Sequence, residues 1–133
     1  MTTIAKALNA AMADALAADP KVLVMGEDVG TLGGVFRITD GLKERFGGLR
    51  VIDTPLAESG IVGTAIGMAM RGYRPVAELQ FDGFTAPAFD QIVSQLARYR
   101  ARVGGRWSLP VTIRVPYGGG AVSYTHLTLP TIY

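Results

Sequence analysis

Between Thr3 and Ala18 the apolar residues Ile4, Leu8, Met12 and Leu16 return at helical spacing. They form one stripe, and Asp19-Pro20 stops the helix. Val22-Leu23-Val24-Met25 is an unbroken apolar run that closes at Gly26, as expected of a parallel strand buried on both faces. Asp40 is placed to cap a short helix from Gly41 to Phe46, stopped by Gly47-Gly48, and Arg50-Val51-Ile52 reads as a second strand. Thr54 as cap and Pro55 in the first turn introduce a helix running from about Glu58 to Met70. Gly72-Tyr73-Arg74 then turns the chain into a strand over Pro75 to Phe81, whose C-terminal end presents Gln80 and Phe81. From Pro87, a stripe of Phe89, Ile92, Val93, Leu96, Arg100 and Val103 predicts a helix ended by Gly104-Gly105. Val111 to Val115 reads as the next strand.

Helices alternating with short apolar strands point to a doubly wound α/β domain with a mainly parallel sheet. Ligands of such sheets lie outside the C-terminal edge of the strands. Gly26, the stretch from Asp53 to Glu58, Gln80 to Phe84, and Pro116 to Gly120 should gather there. The Glu58–Met70 helix is rich in small residues, and each interior glycine costs about 1 kcal/mol relative to alanine. Gly63 and Gly67 lie four apart on one face, which leaves two readings open: close packing on the domain's own sheet, or on a second subunit.

Composition narrows the class. With 133 residues, 49% of them hydrophobic and 18% charged, one packed domain is expected. A formal charge of +2 gives no whole-chain field for nucleic acid or membrane. The basic excess is local, in Arg98, Arg100, Arg102, Arg106 and Arg114. A solvated helix face is the simplest reading of it, and a subunit contact the next. Tyr99 and Trp107 among these arginines raise single-stranded nucleic acid as a third, but no RNA-binding motif accompanies them. The absence of cysteine removes disulfides, thiolate metal sites and cysteine nucleophiles, and fits a reducing cytoplasmic setting. Met1-Thr2-Thr3-Ile4 lacks the pattern of a signal peptide, and no charge-free run is long enough to span a bilayer.

Gly26-Glu27-Asp28-Val29-Gly30-Thr31-Leu32-Gly33-Gly34 follows a strand and is glycine-rich, as phosphate-binding turns are. Its spacing disagrees: Asp28 stands where the dinucleotide fingerprint needs a glycine, and no Gly-Lys-Ser/Thr triplet makes a P-loop. No Gly-x-Ser-x-Gly elbow supports hydrolase chemistry. The acids Glu27, Asp28, Asp53, Glu58, Glu78 and Asp82 show no recognised metal-binding spacing. Glu58 stands apart, because it enters a helix beside Pro55, Leu56, Ile61 and Val62, where a carboxyl group can share a proton. The competing reading is an acid stabilised by the helix dipole, worth about 0.3–1 kcal/mol.

Ile52-Asp53-Thr54-Pro55-Leu56-Ala57-Glu58-Ser59-Gly60-Ile61-Val62-Gly63, Arg74 to Phe81 and Pro87 to Val93 together resemble the E1 component beta subunit of 2-oxo acid dehydrogenase complexes. Gly26 to Gly30 and Arg114 to Gly118 fit the same family, and the likeness runs from the first helix to Gly120. The resemblance implies the thiamine diphosphate-binding, transketolase-like pyrimidine fold. It implies that Glu58 contacts a ring nitrogen of the aminopyrimidine and favours its imino tautomer, which allows the thiazolium C2 proton to be removed. Phe84 matches an aromatic residue against the pyrimidine, Phe81 supplies a second apolar wall, and core packing is the competing role for both. Carbonyls near Val111 and Thr112 match a potassium-holding segment of some relatives. The implied partners are an E1 alpha subunit in an α2β2 assembly, a lipoyl-bearing E2 acyltransferase and a 2-oxo acid, pyruvate or branched-chain. The diphosphate and magnesium belong to the alpha subunit's Gly-Asp-Gly motif, which this chain lacks.

Residues 122–133 carry no charge and contain the only histidine, His126. This stretch resembles translated sequencing-adapter readthrough. The expected organisation is therefore a partial pyrimidine-binding domain over 1–121 followed by a non-native tail, a truncated domain inactive by itself. The family's histidine-bearing segment and C-terminal domain have no counterpart here. Two other functions remain open from residues alone: an acetoin-cleaving or transketolase-like thiamine enzyme subunit, and a non-catalytic α/β nucleotide-binding or interaction module.

Overall fold

The computed structural model describes residues 3–117; Gly118–Gly120, His126 and the 122–133 stretch lie outside the described residues. Helix α1 (Ile4–Ala18) is capped by Thr3, whose hydroxyl accepts the Lys6 N–H at 3.3 Å. It leads to β1 (Val22–Gly26), α2 (Leu42–Phe46), β2 (Val51–Asp53), α3 (Glu58–Met70) and β3 (Arg74–Glu78). A 3₁₀ turn, Asp82–Phe84, opens a long helical stretch: α4 (Thr85–Asp90), a π-helical segment Gln91–Leu96, and α5 (Ala97–Arg102). Strand β4 is Thr112–Arg114. The four strands form one parallel sheet in the order β2-β1-β3-β4.

Strand alternation divides the core between the two faces of that sheet. Leu23, Met25 and Ala77 pack with Ile61, Val62, Ala65 and Ile66 of α3 and with Ala88 of α4. Val24 and Val51 pack on the other face against Met12, Ala13 and Leu16 of α1 and Leu42 of α2. Arg50 binds the two layers: its guanidinium donates to the carbonyls of Val22, Leu16 and Asp19 at 2.6–2.9 Å. It thereby satisfies carbonyls at the end of α1 instead of opening a strand.

Several expected boundaries shift for physical reasons. Gly41, in the left-handed region at φ 74°, precedes α2 with no side-chain cap, so Asp40 does not cap it. Thr54 and Pro55 lie ahead of α3, whose capping residue is Ala57. Strand β3 ends at Glu78, which leaves Gln80 and Phe81 in the following loop. Phe89 is 60% exposed, and the stripe facing the core is instead Ala88, Ile92 and Leu96. Among the described residues no helix is long and apolar enough to cross a membrane.

Helix α3 decides part of the question left by its glycines. A Cβ on Gly63 would stand 3.4 Å from the Gln91 side chain, whereas one on Gly67 would meet nothing within 4 Å. Gly67 is thus not required by packing within this domain. Gly67→Ala should stabilise the chain by about 1 kcal/mol in urea unfolding, through helix propensity alone. Gly26→Ala should destabilise it by about 1–3 kcal/mol, because its Cβ would sit 2.5 Å from the Glu78 carbonyl oxygen.

Candidate functional site

The last rung of the sheet runs Asp53–Gly26–Glu78–Arg114 across all four strands. Each member of this rung is a charged residue except Gly26. Two of the acids are paired. Glu78, 2% exposed, receives the Arg114 guanidinium, Nε at 3.0 Å with Nη2 closing the ion pair. Arg114 therefore leaves the solvated basic group, whereas Arg98, Arg100, Arg102 and Arg106 are exposed along and beyond α5.

Asp53 accepts the Gly30 N–H at 2.6 Å, the Thr31 N–H at 3.1 Å, the Thr31 hydroxyl at 3.2 Å and the Lys43 ammonium at 2.9 Å. Partial burial pushes its pKa up, but the Lys43 bond, then those from Gly30 and Thr31, overcome this and lower it to about 2. The glycine-rich loop is thereby accounted for: two of the amides a phosphate would need are already bound to a carboxylate. This disfavours a nucleotide site between Gly26 and Gly34.

The two remaining acids are treated differently. Glu58 opens α3 and is 8% exposed; Glu27 follows β1 directly and is 7% exposed. Among the described residues no lysine or arginine pairs with either, and Glu27 Oε1 is buried with no hydrogen-bond partner. Burial, then the charges of Glu58 and Asp28, push the Glu27 pKa up from 4.5. Glu27 thus holds its proton more tightly than an exposed glutamate does.

The loop after β1 and the turn after β3 share an aromatic cluster. Phe81 meets Phe84 edge to face at 5.6 Å and Phe36 at 5.9 Å, and Phe84 remains 38% exposed. Gln80 donates to Asp28 at 3.0 Å, tying the loop after β3 to the loop after β1. Buried carboxyl groups with no paired cation among the described residues, at a sheet edge whose loops also carry an aromatic cluster, suit a flat nitrogen heterocycle that exchanges a proton.

Other candidates fall elsewhere. An apolar cleft of about 360 Å³ lies between β2 and the Gly60, Ile61, Thr64 and Met68 face of α3, and neither Glu27 nor Glu58 lines it. Val111 and Thr112 sit at the start of β4, at the opposite end of the strand from Arg114 and the charged rung. Among the described residues no cluster of three acids or histidines could hold a metal ion. Sequence reasoning singled out Glu58, Phe81 and Phe84 but not Glu27, Phe36 or the role of Asp53. The position of Glu27, immediately after a buried parallel strand, was the signal for the first of these.

The family model "Transketolase, pyrimidine binding domain" matches residues 1–131. The chain is 63% identical over 130 residues to the pyruvate dehydrogenase E1 component subunit beta of Leifsonia xyli, an alignment covering 96% of this chain and 38% of that protein. It is 56% identical over 124 residues to a 3-methyl-2-oxobutanoate dehydrogenase subunit beta of Mycobacterium tuberculosis, covering 93% of the chain and 36% of the relative. The pyruvate dehydrogenase E1 component subunit beta of Bacillus subtilis is 55% identical over 118 residues, with 89% and 36% covered. The chain thus spans little more than a third of the length of these relatives.

Glu27 carries its charge at a cost to the fold. With its folded pKa raised above 4.5, stability is fullest below that pH and declines as pH rises through the folded value. Glu27→Gln should therefore be more stable than the parent at pH 7, and the gain should vanish below about pH 4. Urea titrations of both proteins across that range measure the difference, and a Gln variant less stable at pH 7 would contradict it.

Proposed function

This chain belongs to the transketolase pyrimidine-binding domain family, and from that premise we propose that it forms the pyrimidine-binding part of an E1 beta subunit in a thiamine diphosphate-dependent 2-oxo acid dehydrogenase. The observation that carries this reading is Glu58, buried in the first turn of α3 beside Glu27, with no cation among the described residues paired to either. The orphaned Glu27 Oε1 and the exposed edge of Phe84 fit the ring half of such a coenzyme. When bound, the coenzyme supplies the carbanion that attacks a 2-oxo acid carbonyl and releases carbon dioxide.

The chain's own residues have narrower tasks. Glu58 holds a proton at a pyrimidine nitrogen, in a setting where no lysine or arginine among the described residues pairs with its carboxylate. Burial, then the charges of Glu58 and Asp28, make Glu27 itself a weaker acid than a free carboxyl group. Phe84, backed by Phe81, provides a flat apolar surface and keeps water from the ring. The diphosphate and its magnesium would be held by an alpha subunit, since the sequence has no Gly-Asp-Gly motif and the Gly30 and Thr31 amides are already bound to Asp53. The working assembly is accordingly an α2β2 heterotetramer that passes its acyl group to a lipoyl-bearing E2. Its place is cytoplasmic, in keeping with a chain free of cysteine. The relatives named for pyruvate and for 3-methyl-2-oxobutanoate make these the two acids to assay.

In the full-length subunit assembled with its alpha partner, Glu58→Gln should lower decarboxylation by at least about 100-fold, the usual scale of a lost acid–base group. Phe84→Ala should act mainly on coenzyme affinity, weakening it roughly tenfold. Turnover of Glu58→Gln at the parent rate would remove the mechanism.

A further inference from the structure

Asp53 lies on none of the surfaces assigned to the coenzyme ring, yet it makes more polar contacts than any other carboxylate described above. It ends β2 and is joined to a loop 22 to 23 residues earlier in the chain. The fit is tight: a Cβ on Gly30 would lie 2.6 Å from Asp53 Oδ2, and one on Gly33 would lie 2.7 Å from Asp40 Cα. Lys43 of α2 closes the cluster, reaching the Thr31 hydroxyl at 3.0 Å as well as Asp53.

The held loop has two ends that matter. It begins at Glu27, on which the charge of Glu58 acts, and beyond Gly34 it delivers Phe36 onto Phe81, which in turn meets Phe84. Internal bonds make it move as one piece: Gly34 N–H donates to the Asp28 carbonyl at 2.8 Å and Thr39 N–H to the Gly33 carbonyl at 3.0 Å. The same Asp53 begins the turn Thr54–Ala57 that places Glu58. One carboxylate therefore sits between the two segments that carry the acid pair and one side of the aromatic wall.

We propose that Asp53, with Lys43, is a positioning clamp for the coenzyme ring, setting the Glu27–Phe36 loop against Glu58 and the Phe81–Phe84 wall before the ring arrives. This rests on the function proposed above and extends it to residues that never touch the ring. A preformed loop lowers the ordering cost of binding, so losing the clamp costs affinity before it costs chemistry. A residue of purely structural importance would lower the melting temperature and leave affinity, measured well below melting, where it was.

The test uses the full-length beta subunit with its alpha partner, in the parent, Asp53→Asn and Lys43→Met forms, each titrated calorimetrically with thiamine diphosphate and magnesium. Hydrogen exchange of the coenzyme-free assemblies is read alongside. Charge-assisted hydrogen bonds of this kind correspond to about a tenfold change in affinity. Asp53→Asn should raise the Kd by about that factor and speed exchange at the Gly30 and Thr31 amides. Lys43→Met should raise it less, and the double variant by less than the product of the single effects, because both act on one cluster. A Kd unchanged in both variants, with Glu58→Gln still inactive, overturns the clamp alone. If the parent assembly binds no thiamine diphosphate, the functional reading fails and takes the clamp with it.

Discussion

The close approach of β1 and β3 at Gly26 is the constraint on which the candidate site depends. Gly26 is paired with Asp53 on one side and Glu78 on the other, and its missing side chain leaves the room that Val29 and the Glu78 backbone fill. Parallel pairing sends every strand out at the same edge, so the residues following β1 and β2 must converge. Glu27 is one residue past β1 and Glu58 five past β2. Any side chain at position 26 would press β1 from β3 and move Glu27 relative to α3.

Much of this was legible in the sequence because it is local. The start of α3 at Glu58, the apolar run of β1 and the alternation of helices and strands each follow from spacing over a few residues, and the doubly wound parallel reading held. What sequence could not show is pairing at a distance. Nothing within ten residues of Asp53 announces that its carboxylate will bind the amides of Gly30 and Thr31. Arg50 looked like the start of a strand because its neighbours are apolar, yet its guanidinium serves carbonyls of Leu16 and Asp19, more than thirty residues earlier.

The misplaced residues share a cause: tertiary context overriding a sound local preference. Pro55 would suit a first helical turn, but the chain uses Thr54 to Ala57 as a non-helical turn out of β2, bent at Leu56, that brings α3 back over Leu23 and Met25. Phe89 satisfies a helical stripe drawn at 3.6 residues per turn. The π segment just after it changes the winding, so Ile92 and Leu96 follow Ala88 onto the core while Phe89 turns outward. Such wide turns are rare and leave no propensity signal to read.

The distribution of countercharges separates scaffold from chemistry at this edge. Asp53 and Glu78 belong to the same rung, and each has a cation, Lys43 or Arg114, within ion-pair distance. Glu27 and Glu58 are also buried, at 7% and 8% exposed, and have none among the described residues. A buried carboxylate left unpaired costs stability, and a fold that pairs two acids on one rung had the means to pair the next two. A structural role would have been served by a cation or by glutamine at either position. Leaving both as acids accords with the proposal that the missing partner is a basic ring nitrogen brought in by a ligand, and the loops after β1 and β3 at this edge carry an aromatic cluster that would suit a flat one.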